Sequence, residues 1–211
     1  MAKRATKKSK PKKDLAERVI DAALALAAEH GWSALTMADI AKAAEAPLAE
    51  VLATFSSKPS ILNGLIRRVD NQVLSGLSTD DPSGDDVRDR LFDVLMRRFD
   101  ALQPHKKGLA QILRGSLCNP LAPVNHLPRY LCSMALMLEA GGVSSAGLGG
   151  RLRTKGLAVV YANAFRIWLR DDSPDMAKTM AALDNGLKRA ECLANLCWGQ
   201  HGNGEPAAET G

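Results

Sequence analysis

Apolar residues recur at three- and four-residue spacing along most of this 211-residue chain, rather than alternating with polar ones. This spacing places apolar side chains on one face of an α-helix. Two such stripes are Leu15, Val19, Ala22, Ala23, Leu26 and Ile61, Leu62, Leu65, Ile66, Val69. Aromatic residues make up only 4% of the chain, whereas Ala, Leu and Met are plentiful. The sequence therefore predicts an all-α fold with almost no sheet.

The segment TMADIAKAAEAPLAEVLATFSSK, residues 36–58, predicts two short helices joined by a tight turn. Thr36 and Asp39 have the spacing of a capping box in front of Ile40, which favours a helix start. A turn at 44–46 leads to Pro47, which suits the first position of a helix because its missing N–H would be unbonded there. Two helices in this arrangement can lay the second one, residues 47–55, in the major groove of DNA.

The rest of the chain predicts a helical body behind this head. We expect a first helix at 14–29, a connecting helix reaching residue 77, and body helices at 87–103, 107–118, 129–140, 152–170 and 174–198. The turn-rich segments 78–86 and 141–150 separate them, the second as a flexible break. In DDSPD, residues 171–175, Ser173 would cap the last helix and Pro174 would begin it. We divide the chain into a disordered basic arm (1–13), a helix-turn-helix domain (14–77), a helical body (78–199) and a disordered tail (200–211).

Positive charge is concentrated at the N-terminus. Residues 1–13 hold seven Lys or Arg and no acid, which leaves 21 basic and 23 acidic residues in the remainder. A segment of this composition cannot bury apolar surface, and its expected contacts are anionic, such as nucleic acid or lipid headgroups. A merely solubilising tail is the alternative.

The head resembles the TetR family of bacterial transcriptional regulators. The residues that carry the resemblance are RVIDAALALAAEHGWSALTMADIAKAA, Phe55, Lys58 and the apolar helix that follows, within residues 18–66. The resemblance implies an all-α protein with a trihelical head and a ligand-binding body. It also implies DNA binding by the head and a homodimer formed through the last two helices, whose final member carries a wide apolar stripe.

Candidate DNA-contacting residues follow from the matching positions. Lys58 corresponds to the family's phosphate-contacting lysine, and Glu45 replaces its usual turn glycine. The full candidate set is Lys3, Arg4, Lys7, Lys8, Thr36, Pro47, Leu48, Ala49, Glu50, Leu52, Ala53, Thr54 and Lys58. Residues 47–55 contain no Lys, Arg, Asn or Gln, the side chains that read base edges in pairs of hydrogen bonds. Glu50 could accept from a cytosine amino group, and Ala49 or Ala53 could touch a thymine methyl.

The body is also similar to the lipid-binding accessory proteins of ubiquinone biosynthesis, which share the fold but are not known for reading DNA. RLFDVLMRRFDAL and the segment around Tyr161 carry this likeness. A small apolar ligand or lipid would contact Phe99, Met134, Met137, Leu138, Tyr161, Phe165 and Trp168. The same stripe equally fits ordinary core packing. Our leading hypothesis is a dimeric DNA-binding regulator responsive to such a ligand, and the competing one is a lipid-binding or protein-interaction accessory protein without sequence-specific DNA binding.

Other classes of protein find little support in the sequence. No apolar run reaches the length of a membrane span, and no apolar signal segment is evident, so we expect a cytoplasmic protein. The four cysteines lack paired spacing, which favours buried free thiols. Four scattered histidines and the absence of a nucleophile elbow or phosphate loop argue against an enzyme, a cofactor or a metal site.

Overall fold

A computed structural model describes residues 14–77, 86–117 and 126–198, without the side chains of 116, 117 and 195–198. The basic arm, the tail after 199 and most of the 78–86 loop lie outside these ranges, and so do candidates Lys3, Arg4, Lys7 and Lys8. The described residues are helical and contain no strand, as predicted. None of their helices is long and apolar enough to cross a membrane.

Nine α-helices follow one another in the described ranges. They are α1 (Leu15–His30), α2 (Met37–Ala43), α3 (Leu48–Thr54), α4 (Lys58–Ser75), α5 (Val87–Leu102), α6 (Lys106–Leu117), α7 (Leu127–Ala140), α8 (Gly147–Trp168) and α9 (Ala177–Trp198). A short 3-10 turn, Gln103–His105, links α5 to α6. The chain forms two compact units, the head from residues 14–65 with 107–117 and the body from residues 66–106 with 126–198.

The head is built on α1, whose buried face consists of Val19, Ile20, Ala23, Leu24 and Ala27. Gly31 ends the helix with φ of +80°, a backbone conformation that glycine adopts without steric cost. Helix α6 also belongs to this unit, because Gly108 lies so close to Leu24 that an added Cβ would be 2.4 Å from the Leu24 carbonyl oxygen. From the sequence pattern, residues 107–118 are predicted to belong to the body.

The body is centred on buried side chains of α5, α7, α8 and α9. Helices α8 and α9 approach closely at Gly186, where an added Cβ would lie 2.6 Å from Cγ1 of Val160. Trp168, at the end of α8, is fully buried, and its Nε1 donates a 2.8 Å hydrogen bond to Oε1 of Gln103. The indole N–H therefore has a partner inside the core.

Two predicted helix boundaries in the body are wrong. Helix α8 begins at Gly147 rather than near 152, so the break after α7 is shorter than expected. Gly150 permits this start, because a Cβ there would lie 2.1 Å from the Ser145 carbonyl carbon. Helix α9 begins at Ala177 rather than Pro174, because Met176 has φ of +54° and interrupts any helix through 174–176.

Two of the cysteines also depart from the prediction of buried thiols. Cys132 and Cys192 are free and exposed. Cys118 and the side chain of Cys197 lie outside the described part of the chain.

Candidate nucleic-acid interface and ligand site

The capping box at the start of α2 is present as predicted. Oγ1 of Thr36 accepts a 3.2 Å hydrogen bond from the Asp39 backbone N–H, and Oδ2 of Asp39 accepts a 2.9 Å bond from that of Thr36. The Thr36 hydroxyl also donates to Oδ2 of Asp39 at 2.6 Å. These side-chain and backbone hydrogen bonds from Thr36 lower the pKa of Asp39. The Thr36 side chain therefore caps the start of α2. Its contact with DNA stays a prediction.

Glu45 holds the turn between α2 and α3 in a left-handed conformation, with φ of +51°. The Glu45 N–H donates to the Lys42 carbonyl at 3.2 Å and the Ala46 N–H to the Ala41 carbonyl at 3.1 Å. These two bonds form the Schellman motif that commonly ends a helix. The turn thus keeps its tight geometry without a glycine, at a cost on the order of 1 kcal/mol.

Helix α3 buries one side and exposes the other. Val51 is fully buried, and Phe55, directly after the helix, is 3% exposed. Gly64 on α4 leaves room for the Phe55 ring, because a Cβ there would lie 2.7 Å from Cε1 of that ring. The candidate residues are all exposed: Pro47, Leu48, Ala49, Glu50, Leu52, Ala53 and Thr54.

The exposed side of α3 is mostly apolar. Leu48 and Leu52 are each 42% exposed. The Thr54 hydroxyl donates a 3.0 Å bond to the Glu50 carbonyl, so part of its polar capacity is used within the helix. Glu50 is the charged side chain on this face. The surface can offer methyl contacts and a carboxylate acceptor to a DNA groove, but no side-chain cation.

Lys58 makes internal contacts that the sequence did not suggest. Its Nζ donates to the Trp32 carbonyl at 2.9 Å and the Leu35 carbonyl at 2.7 Å, and lies 5.3 Å from the centre of the Trp32 ring. Burial lowers the pKa of this ammonium group. Lys58 therefore fastens the loop after α1 to the start of α4. Because an ammonium has three N–H groups, one remains for a phosphate, and that contact stays a prediction.

The predicted ligand residues lie together in the body as a packed cluster. Phe99 stacks on Tyr161 with ring centres 4.9 Å apart, and Trp168 lies 5.7 Å from Phe99 and 5.3 Å from Phe165. Met134, Met137 and Leu138 are buried, and only Phe165 is half-buried. The rings touch one another directly. A pocket of about 270 Å³ that opens to solvent lies elsewhere in the body, between the end of α4 and α5. Its lining residues are Gln72, Val73, Gly76, Arg97, Asp100 and Ala101.

A buried charged cluster adjoins these rings and was missed from the sequence. Asp70 on α4 is 1% exposed and accepts hydrogen bonds from Arg98 of α5 and Arg129 of α7. Ser133 of α7 also donates to Asp70, at 2.6 Å. The signal was available, since Arg98 follows Leu91, Val94 and Leu95 on the apolar stripe of α5. A charged residue inside such a stripe indicates a buried partner.

The arrangement of α2, turn and exposed α3 defines the class of the head: it is a helix-turn-helix domain of the kind that binds DNA. Residues 19–65 match the family model described as bacterial regulatory proteins, tetR family. No curated protein matches the chain. Over these residues the head is therefore similar to the tetR family of bacterial regulatory proteins.

Solved structures share this fold at low sequence identity. A TetR transcriptional regulator from Nitrosomonas europaea is 23% identical, with a TM-score of 0.69, over 85% of this chain and 99% of that one. A TetR transcriptional regulator from Rhodococcus sp. RHA1 is 15% identical, with a TM-score of 0.61, over 83% and 94% of the two chains. A tetR-family regulator from Streptomyces coelicolor is 16% identical, with a TM-score of 0.58, over 88% and 84%.

Proposed function

We propose that this regulator acts as a homodimer whose paired heads read a palindromic DNA site and whose body binds a small apolar ligand. The observation that carries the DNA-binding part is the exposed side of α3. Seven candidate residues are exposed there, while Val51 and Phe55 anchor the helix to the head. Two apolar residues on this side are each 42% exposed, and the similarity to the tetR family makes DNA the expected partner surface.

The mode of reading follows from the side chains. With no Arg, Lys, Asn or Gln in α3, bidentate contacts to guanine or adenine are unavailable. Glu50 would accept a hydrogen bond from a cytosine amino group, while Ala49, Leu52 and Ala53 would contact thymine methyls. Affinity for the phosphates would come from the basic arm, through release of counterions. We expect a site discriminated at few base pairs and a binding constant that depends steeply on salt.

The dimer is supported by exposed apolar residues on α8. Leu148, Leu152 and Val159 are 86%, 55% and 71% exposed, and their spacing places them on one face of the helix. Leu193 on α9 is 61% exposed. Two copies of such a face can pair about a two-fold axis. Val159→Glu should therefore give a monomer by light scattering, whereas Leu127→Glu, a matched change at a half-exposed site on α7, should leave the dimer intact. A dimeric Val159→Glu variant would place the interface elsewhere.

The DNA-binding proposal is tested by selection from random duplex DNA at physiological salt. Full-length protein, a chain starting at Asp14 and Glu50→Ala would be compared. We expect a palindrome to be enriched by the full-length protein and retained by the shortened chain, with the preferred bases altered only by Glu50→Ala. Lys42→Ala, an exposed change on α2, serves as the control.

Failure of this selection would favour the second candidate function. If no sequence is enriched and only the full-length chain retains DNA, in a salt-sensitive way, the arm is a general polyanion binder. The lack of Arg, Lys, Asn and Gln on α3 would then mean that this helix does not recognise DNA bases. A lipid-binding or protein-interaction role for the body would become the better explanation.

A further inference from the structure

The buried charged cluster contains more positive than negative charge. Asp70 supplies one carboxylate, whereas Arg98 and Arg129 supply two guanidinium groups. Arg98 is 3% exposed, so its charge cannot be compensated by bulk water. Among the described residues no other carboxylate forms an ion pair with either arginine. The cluster therefore has an excess of one positive charge inside the body.

Two guanidinium nitrogens of the cluster are buried without a hydrogen-bond partner, Nε of Arg98 and Nε of Arg129. The O–H of Tyr161 is also buried, and its proton has no acceptor. Buried polar groups in folded proteins are nearly always paired, and each unpaired one carries a free-energy cost. Burial raises the pKa of Tyr161 and outweighs the charge of Arg98 and its hydrogen bond to the phenol oxygen, so the hydroxyl stays protonated and can donate. All three groups are thus donors that await an acceptor.

These donors adjoin the aromatic cluster on one side and solvent on the other. The Arg98 guanidinium carbon lies 5.4 Å from the centre of the Tyr161 ring, which in turn stacks on Phe99. Arg129 is the accessible member, with 27% of its side chain exposed. The cluster thus combines a partly accessible cation with buried donors that lie beside apolar rings. A ligand with a charged head and an apolar body matches this combination.

We propose that Arg98, Arg129 and Tyr161 form a binding site for the carboxylate of an organic acid, whose apolar part lies against the ring cluster of Phe99, Phe165 and Trp168. This assignment rests on the proposed function, because it names the class of ligand that the body takes. A carboxylate fits better than a neutral head, since it supplies the missing negative charge and acceptors for the unpaired donors. The flexible thioethers of Met134 and Met137 can move aside to admit the apolar part.

Binding would select an arrangement in which these side chains have separated, since the rings touch one another in the closed state. A ligand shifts such an equilibrium only by its unequal affinity for the two arrangements. The carboxylate would supply that difference, because the closed cluster leaves its donors unpaired. Regulation would follow if the opened arrangement binds DNA differently.

The experiment measures the binding of four acids to the full-length protein by calorimetry without DNA. Octanoate, dodecanoate and 2-naphthoate would be compared with octanol, dodecanol and 2-naphthol, with acetate as a carboxylate lacking an apolar body. At least one of the three larger acids should bind about tenfold more tightly than its alcohol, and acetate should bind weakly. Binding of none of them, or equal binding of acid and alcohol, would overturn the proposal.

Variants separate a binding role from a structural one. Tyr161→Phe and Arg129→Gln should each reduce the preference for acid over alcohol by about tenfold, the loss of one charge-assisted hydrogen bond. Arg97→Gln, an exposed change on the same helix as Arg98, should leave it unchanged. If Tyr161→Phe only raises thermal stability and retains the preference, the cluster is structural and the assignment is wrong.

A separate readout distinguishes this inference from the proposed function. DNA retention with and without the tightest-binding acid shows whether the ligand controls the head. Tight, selective acid binding without any change in DNA affinity would support the site and contradict ligand-responsive regulation. DNA binding that responds to the alcohols as strongly as to the acids would support regulation and contradict the site.

Discussion

Glu45 is a residue whose conformation suits another amino acid. Its φ of +51° lies in the left-handed region, where a Cβ is crowded by the following carbonyl. Glu45→Gly should therefore raise the free energy of unfolding by about 0.5 kcal/mol, because the greater freedom of glycine in the unfolded chain offsets part of the relieved strain. The check is the urea midpoint at an unchanged m-value.

Glu45→Ala is the control for this prediction, because it removes the charge and keeps the Cβ. It should not reproduce the gain. Equal stabilisation by both variants would mean that repulsion of the Glu45 carboxylate, rather than backbone strain, is relieved.

The sequence predicted residue roles well where the partners lie close in the chain. The Thr36 and Asp39 capping box depends on a three-residue spacing and forms as expected. The partners of Lys58 are 23 and 26 residues away, and no local pattern announces two carbonyl acceptors. Which backbone carbonyls need a side-chain donor can be predicted only when the three-dimensional course of the loop after α1 is known.

At the scale of the element, the start of α9 depends on Asp171. Oδ2 of Asp171 accepts from the backbone N–H of Thr179 at 2.9 Å and from its hydroxyl at 2.7 Å. Burial alone would raise the pKa of Asp171, but the hydrogen bonds from Ser173 and Thr179 outweigh it and hold the pKa well below its usual range. The ionised form of Asp171 is therefore the one that accepts these hydrogen bonds at the start of α9.

Asp171→Asn should destabilise the protein by about 1 to 2 kcal/mol at pH 7, because the amide NH2 cannot accept and leaves one pair of these donors without an acceptor. Because the folded pKa is depressed, the stabilisation is fully present above the ordinary aspartate pKa of about 3.9 and is lost as the pH falls through the folded value. The difference between the two proteins should thus shrink below about pH 4 in urea unfolding. Asp172→Asn, an exposed neighbour, should be neutral, and a pH-independent difference for Asp171→Asn would contradict this role.

The last helix shows why element boundaries were harder to predict than elements. The pattern DDSPD was expected to cap α9 through Ser173 and Pro174, and a capping segment is indeed present. The helix begins three residues later, because the left-handed Met176 separates the turn from the first helical residue. Pro174 and the neighbouring aspartates correctly predicted a capped helix start in this segment, but they did not identify the first helical residue.

At the scale of the whole molecule, the Asp70 cluster joins α4, α5 and α7 of the body. Asp70→Leu should cost about 3 to 5 kcal/mol, because it leaves Arg98 buried without its carboxylate. The midpoint temperature of thermal unfolding should fall by roughly 10 °C for a chain of this size. The double variant Asp70→Leu, Arg98→Met should recover most of the loss, since Arg129 can reach solvent. If Asp70→Leu alone is as stable as the unchanged protein, the Asp70–Arg98 pair is not shielded from water as described.

The fold class and the trihelical head were predictable because they follow from periodicity and capping, which are local. The aromatic residues of the body were predicted as a set, and they do lie together. Their ligand role stays a prediction. The charged cluster required knowing that α4, α5 and α7 bring Asp70, Arg98 and Arg129 to one point, which side-chain spacing within a single helix does not reveal.

The Asp70 cluster also bears on the order in which the body folds. Its bonds join residues 28, 59 and 63 positions apart, so each needs two helices to meet and the complete cluster needs all three. Helices alone can form on the microsecond scale, and a collapsed body with these helices misaligned would bury a carboxylate or a guanidinium unpaired. Such misaligned states have a higher free energy than the native packing, and the cluster thereby widens the energy gap between the native fold and competing compact states. The complete cluster therefore favours the native alignment of the three helices over bundles in which they are misaligned.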